Sequence, residues 1–276
     1  MKRSILICTK RKSRRAEEVG RQLTEWLKQK SVEVIDVTGD GKIGKEKLHH
    51  VSLGVVIGGD GTFLSLVRRL EMKDRFPLIG INLGSLGFIT EVGTDEMFTT
   101  LEEVLSGKFK EELRRLLQVE LWRKEKRVES GMVFNDAVFT KDARTSMLKF
   151  EVYLDGELLS YVRADGYIIS SPTGSTAYNL SAGGALLHPD INGISLIPIC
   201  SHALSARSIV VPQTMTLEIV VLQFQGIAYL VCDGQVNFEI NEGDRIRVAC
   251  ADTSLRMVSS PKKRWSEALR SKLHME

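Results

Sequence analysis

Leu53-Gly54-Val55-Val56-Ile57-Gly58-Gly59-Asp60-Gly61-Thr62-Phe63-Leu64-Ser65-Leu66-Val67 decides the architecture. Leu53 to Ile57 is a short β-branched run, and from Gly61 to Leu70 the apolar residues recur at helical spacing. The five residues between them are therefore a strand-to-helix turn made of the smallest side chains around one carboxylate. In an open parallel sheet, ligands collect at the carboxyl ends of strands. Glycine there lets backbone amides approach phosphate oxygens, and the following helix adds its positive end. Asp60 is the informative member, because a carboxylate beside phosphates is repelled unless it handles a proton, an accepting hydroxyl or a metal ion. Phosphoryl transfer needs a group that orients and deprotonates a hydroxyl, together with fixed donors for the transferred charge. Asp60 suits the first role, and the amides of Gly59, Gly61 and Thr62 suit the second. An ordinary Asp-Gly turn is the alternative.

Outward from this turn the pattern is strand, helix, strand. Ser4 to Thr9 precedes a helical stretch, Arg14 to Lys28, in which Ala16, Val19, Leu23, Trp26 and Leu27 share a face. Val32 to Val37 and Pro77 to Ile81 read as further strands, and Thr94 is expected to cap a helix carrying Met97, Leu101, Val104 and Leu105, with Gly107 as its stop. Alternation of this kind predicts an α/β domain with a parallel, Rossmann-like sheet over residues 1–112. A second glycine-rich turn, Asn82 to Phe88, follows the next strand, either as a further phosphate-friendly loop or as a plain one.

From about Leu113 helical periodicity nearly vanishes and a β-rich, sandwich-like domain is expected over residues 113–254. Asp155-Gly156 between Phe150–Leu154 and Leu158–Val162 is a strong hairpin signal. Leu217–Phe224, Ile227–Cys232 and Arg245–Ala249 continue the series. In the tail, residues 255–276, Lys262 to Leu273 is basic and weakly helical, and the tail is expected to pack on the first domain. One stretch breaks the β pattern. Ser170 to Gly184 is rich in small hydroxylated residues, with Ser175 and Thr176 placed to cap a short helix and Tyr178 offering a ring. Asn135-Asp136 lies inside Met132 to Phe139, an apolar run that reads as one strand, where such a pair either grips a ligand or pairs locally.

Composition narrows the class. The chain has 276 residues, 43% hydrophobic and 26% charged, with a net charge of +3, which argues for two globular domains and against a nucleic-acid partner. No apolar run approaches the ~18 residues of a spanning helix, and Met1 to Thr9 runs directly into Lys10-Arg11-Lys12, so neither a membrane span nor a signal peptide is expected. The basic run Lys10 to Arg15 reads as a solvated loop able to attract phosphate. Cys8, Cys200, Cys232 and Cys250 have no paired spacing and read as buried, reduced thiols, which implies a cytoplasmic protein.

Taken together, Gly58 to Thr62, Asn135-Asp136, Asp165-Gly166, Pro172 to Tyr178, Gly183-Gly184 and Asp233-Gly234-Gln235 resemble, in order and rough spacing, the NAD kinase family, across most of the chain. The resemblance implies phosphorylation of NAD on the 2′-hydroxyl of its adenosine ribose to give NADP, with ATP or inorganic polyphosphate as donor and a divalent cation, usually magnesium. It implies Asp60 as the catalytic base, with Gly61 close to the NAD and Gly58, Gly59, Gly61 and Thr62 as the donor loop. Asn135 and Asp136 would hold the adenosine portion, and Thr176, Ala177, Tyr178, Asn179, Leu180 and Ser181 would wall the adenine. Arg163, Asp165 and Gln235 match further family contacts to NAD, and Ser146 falls at a variable contact position; His202 resembles a family segment near the site but by itself reads as a packed structural histidine. Homodimers or homotetramers with sites completed by a neighbouring subunit are also implied. The metal ligands are not given by the sequence. This chain has Asp136 where the family more often has Glu, which keeps the charge on a stem one methylene shorter. Readings outside the family are a kinase of a lipid or sugar alcohol and a dinucleotide sensor without turnover.

Overall fold

The structure is a computed structural model that describes residues 4–84, 87–203, 206–259 and 265–273. The chain forms two compact units, residues 1–113 with 254–276, and residues 114–253.

The first unit contains β1 (Ser4–Thr9), α1 (Arg14–Gln29), β2 (Glu33–Asp36), α2 (Lys45–Leu48), β3 (Val51–Ile57), α3 (Asp60–Arg69), β4 (Leu78–Asn82), β5 (Val92–Gly93) and α4 (Met97–Leu105). β2, β1, β3 and β4 lie side by side in that order and all run parallel. β1 and β4 are buried along their whole length, because helices cover such a sheet and leave no face for polar residues. Ile5, Ile7, Val55, Ile57, Ile79 and Ile81 pack against Leu23 and Leu27 of α1 and Leu101 of α4, while α3 lies against β3 and β1. Ser13 caps α1, its side chain accepting from the Ala16 amide. At α4 the expectation fails. Glu96 rather than Thr94 is the residue before the first turn, and its carboxylate turns back to accept from the Gly93 amide.

In the second unit follow β6 (Lys110–Arg123), β7 (Lys126–Val133), β8 (Asp136–Lys141), β9 (Leu148–Leu154), β10 (Glu157–Ala164), β11 (Gly166–Ser170), a 3-10 turn (Thr173–Thr176), α5 (Tyr178–Ser181), β12 (Gly193–Ile199), β13 (Ile209–Pro212), β14 (Leu217–Gln223), β15 (Ala228–Cys232), β16 (Val236–Ile240) and β17 (Arg245–Ser259). The last residues of β17 pair with β4, and α6 (Trp265–Leu273) ends the first unit's share of the chain. β13-β12-β11-β8-β15-β16 form one antiparallel sheet. β10, β9, β14 and the start of β17 form another, and Phe139, Phe150, Tyr167, Leu196, Ile219 and Leu230 from both sheets share one core. That is the β-sandwich the alternation implies. Asp155 and Gly156 turn the β9–β10 hairpin at φ of 49° and 84°, the backbone an Asp-Gly pair adopts most readily.

Two expectations are corrected. All four cysteines are free, but only Cys8 and Cys232 are buried; Cys250 is half-buried, and Cys200, just past the end of β12 at φ 47°, is exposed. His202 is exposed too, so it is not a packed histidine; of the segment around it, Leu204 and Ser205 lie outside the described residues. Among the described residues no helix is long and apolar enough to cross a membrane.

Candidate functional site

In the α/β unit the strand order reverses between β1 and β3, since β2 lies on one side of β1 and β4 on the far side of β3. At such a reversal the loops leaving the two strands diverge and open a crevice. A cleft of ≈ 350 Å³ lies there, lined by Thr9, Lys10, Arg11, Gly59, Gly61, Thr62, Ser65 and Arg69, among others. Lys10 and Arg11 are solvated, as the charge run implied, and Arg11 pairs with Asp40. Arg69 is buried beneath, donating to the carbonyls of Gly41 (2.8 Å) and Val37 (2.6 Å), so it ties the loop after β2 to the cleft. The amides do not match the expectation in full. Thr62 N donates to Gly59 O at 2.9 Å inside the turn, which takes that donor away from phosphate, and Gly58 N donates to Ile81 O at 2.9 Å. Gly59 N has no partner among the described residues, and a Cβ at Gly59 or Gly61 would meet nothing within 4 Å, so the loop is open on its outer face.

Asp60 begins α3, and its carboxylate is held by the second glycine-rich turn. Oδ2 accepts from Phe88 N at 3.0 Å; Oδ1 accepts from Ile89 N at 3.3 Å, Thr90 N at 3.0 Å and Thr90 Oγ1 at 2.9 Å. Of the turn expected from Asn82 to Phe88, Ser85 and Leu86 lie outside the described residues; its end, at Phe88, orders Asp60 together with Ile89 and Thr90. Thr90 is a functional candidate that the sequence did not mark. A buried threonine after a glycine-rich turn carries no signal of its own without the spatial neighbour it bonds.

The β-rich unit gathers a second cluster at one end of its β8–β11 sheet. The Met132–Phe139 run is not one strand. It breaks at Phe134-Asn135 between β7 and β8 because the Asp233 carboxylate, from the β15–β16 turn, captures the amides of Phe134 (2.9 Å), Asn135 (2.7 Å) and Asp136 (3.2 Å). Three donors converging on one carboxylate replace the ladder bonds a continuous strand would make. Asn135 and Asp136 are both buried, and among the described residues Asn135 Oδ1 has no hydrogen-bond partner. Burial, with Asp233 adding repulsion, pushes the Asp136 carboxyl up from 3.8 to about 7. In the sequence Asp233 stands only as part of the Asp233-Gly234-Gln235 motif, and spacing does not reveal its role, because it lies about a hundred residues from the amides it holds.

The hydroxyl-rich stretch packs onto this cluster. Ser171 N donates to Asn135 O at 2.8 Å, Ser171 Oγ donates to Phe134 O at 2.6 Å and accepts from Gly174 N at 3.1 Å. A Cβ on Gly174 would stand 2.1 Å from Asn135 O, so only glycine lets the 3-10 turn reach that backbone. Ser175 does not cap α5. Its hydroxyl bridges Pro172 O (2.7 Å) and the Leu187 backbone. Asn179 is fully buried, its amide donating to Ser175 O and Ala185 O and accepting from Ser195 Oγ, so its side chain shapes the wall from behind. Thr176, Ala177, Leu180 and Ser181 are accessible, and the Tyr178 ring is 45% exposed. Gln235, two residues past Asp233, is exposed at the same end.

Ser146, Arg163 and Asp165 are not brought there. β11 pairs Ser170 with Asp136 but Gly166 with Thr140, so residues near Gly166 sit at the opposite end of the sheet, roughly 14 Å away at about 3.4 Å per residue. Asp165 pairs with Lys141 at 3.2 Å, Ser146 exchanges bonds with Gln225, and Arg163 is exposed.

The chain matches the family model for the ATP-NAD kinase N-terminal domain over residues 45–109 and that for the ATP-NAD kinase C-terminal domain over residues 134–260. It is 40% identical to the NAD kinase of Aromatoleum aromaticum over 92% of this chain and 85% of that one, and 38% identical to the NAD kinase of Geobacter metallireducens over 98% of both. Among solved structures it resembles yeast NADH kinase complexed with NADH (TM-score 0.90, 24% identity, 100% of this chain and 88% of that one). It also resembles an NAD kinase from Archaeoglobus fulgidus in complex with ATP (TM-score 0.79, 22% identity, 99% and 100%). These two likenesses concern the fold.

Proposed function

The chain belongs to the NAD kinase family, enzymes that phosphorylate NAD to NADP, and from that premise we propose how its residues divide the work. Asp60 is the general base that takes the proton from the 2′-hydroxyl of the adenosine ribose. The donor's phosphates, from ATP or polyphosphate, lie at the cleft of Gly58, Gly59, Gly61 and Thr62, where Lys10 and the start of α3 favour negative charge. Asn135 and Asp136 take the adenosine ribose, and Thr176 to Ser181 with Gln235 wall the adenine. The observation that carries this reading is the buried Asn135 Oδ1, which has no partner among the described residues. A buried acceptor of that kind calls for a donor, and a ribose hydroxyl supplies one.

A divalent cation, magnesium by preference, accompanies the donor. Among the described residues no group of three or more His, Cys, Asp or Glu side chains is arranged to hold a metal. The donor's phosphate oxygens and water would then supply most of its ligands, the usual arrangement for magnesium. Ser146, Arg163 and Asp165, remote from Asn135 within one chain, suit a homodimer or homotetramer in which they serve a neighbour's dinucleotide. The four free thiols suit the reducing cytoplasm.

The test is Asp60→Asn assayed with ATP, magnesium and NAD. NADP formation is expected to fall by roughly a hundredfold or more while NAD still binds by calorimetry. Undiminished turnover would remove Asp60 from the chemistry. A chain that binds NAD but never forms NADP with either donor would instead be a sensor.

A further inference from the structure

We propose that Thr90 is a positioning residue for Asp60: its hydroxyl, oriented by Asn82, anchors one carboxylate oxygen and leaves the other for the acceptor hydroxyl. The inference rests on the reading of Asp60 as the base.

The two carboxylate oxygens are unequal. Oδ1 receives three donors, from Ile89 N, Thr90 N and Thr90 Oγ1, whereas among the described residues Oδ2 receives Phe88 N alone. A carboxylate oxygen offers about two lone-pair sites, so Oδ1 is saturated and the remaining acceptor capacity lies on Oδ2.

The hydroxyl that completes Oδ1 is not free to turn. Asn82 Oδ1 accepts from Gly84 N at 2.7 Å, which fixes the amide so that its Nδ2 faces Thr90. Asn82 Nδ2 then donates to Thr90 Oγ1 at 3.0 Å. Having accepted there, the threonine hydroxyl has its single proton left for Asp60. Thr90 is fully buried and Asn82 nearly so, which keeps water from replacing either bond. Gly87 makes room for the contact, since a Cβ there would stand 2.0 Å from Asp60 Oδ1 and 2.4 Å from Thr90 Oγ1. A chain of bonds from Gly84 through Asn82 and Thr90 to Asp60 thus sets the direction in which the base faces. Proton transfer depends steeply on that direction, because the base must lie within hydrogen-bond reach of the hydroxyl it serves.

The test compares Thr90→Val, which keeps the shape and loses the hydroxyl, with Thr90→Ser, which keeps the hydroxyl, each alone and with Asp60→Asn. Thr90→Val is expected to lower kcat about tenfold or more with KM for NAD within about twofold, and Thr90→Ser to recover kcat to within about threefold. In the Asp60→Asn background Thr90→Val is expected to change kcat by less than about twofold, since the group it positions is gone. Equal losses in Val and Ser, or the same factor lost with and without Asp60, would overturn the proposal and leave Thr90 a packing residue. If Thr90→Val does not fold, Thr90→Ala in the same cycle gives the same reading. Should Asp60→Asn alone retain full turnover, the base assignment itself fails, a result told apart from the failure of Thr90 by the single mutant.

Discussion

Asp136 is a buried acid whose neighbour is another acid. Its carboxyl in the folded chain is pushed to about 7 against an ordinary 3.8, first by burial and then by Asp233. Below pH about 4 both states hold the proton and folding incurs no penalty from this group. Between about 4 and 7 the unfolded chain ionises while the folded one stays neutral, so stability is lost as pH rises, and above 7 a constant deficit remains. Asp136→Asn should therefore flatten the stability profile between pH 4 and 7 and raise stability at pH 8, on the order of 1–3 kcal/mol, by urea unfolding. A variant no more stable than the parent at pH 8 would show that the carboxyl is solvated or paired. At this scale the sequence was informative only where chemistry is conspicuous. A carboxylate among glycines at 60 and an Asn-Asp pair in an apolar run at 135 stand out, whereas Thr90 and Asp233 acquire meaning only from groups far along the chain.

Elements were legible wherever a period could be counted. β1 and the parallel run around β3 coincide with their apolar stretches, and α1 with its apolar stripe. The misreadings occur where a side-chain bond to the backbone, local at Glu96 and distant at Asp233, overrides the pattern. Glu96, not Thr94, precedes α4, and the strand expected across Met132–Phe139 is broken by Asp233. The 3-10 turn shows the same dependence, because Gly174 is required by contact with Asn135 rather than by its own φ. Gly174→Ala should destabilise the chain by about 1–3 kcal/mol as the turn is forced off that backbone, and should raise KM for NAD with it. Thermal unfolding with and without NAD checks this, and a variant of parental Tm and KM would show that the turn gives way easily.

For the whole molecule, the arrangement within the β-rich unit bears on assembly. Ser146, Arg163 and Asp165 sit at the far end of the sheet from Asn135, while Leu158, Leu159 and Tyr161 on β10 and Val210 on β13 leave apolar side chains in water, Tyr161 69% exposed. A neighbouring copy covering that face would remove the apolar surface from water and supply the distant residues at once. Tyr161→Glu with Leu159→Asp should shift the protein to monomer by light scattering and lower turnover with it. A parent that is already monomeric and fully active would sink that reading. What the sequence determined by itself was local: periods of 2 and 3.6, turns that need glycine, and a carboxylate too conspicuous to be structural filler. Tertiary structure alone decided which oxygen of Asp60 is saturated, why the chain breaks before Asp136, and which candidate residues share one end of a sheet. Hydrogen bonds between groups dozens of residues apart fix those features, and no periodicity along the chain encodes them.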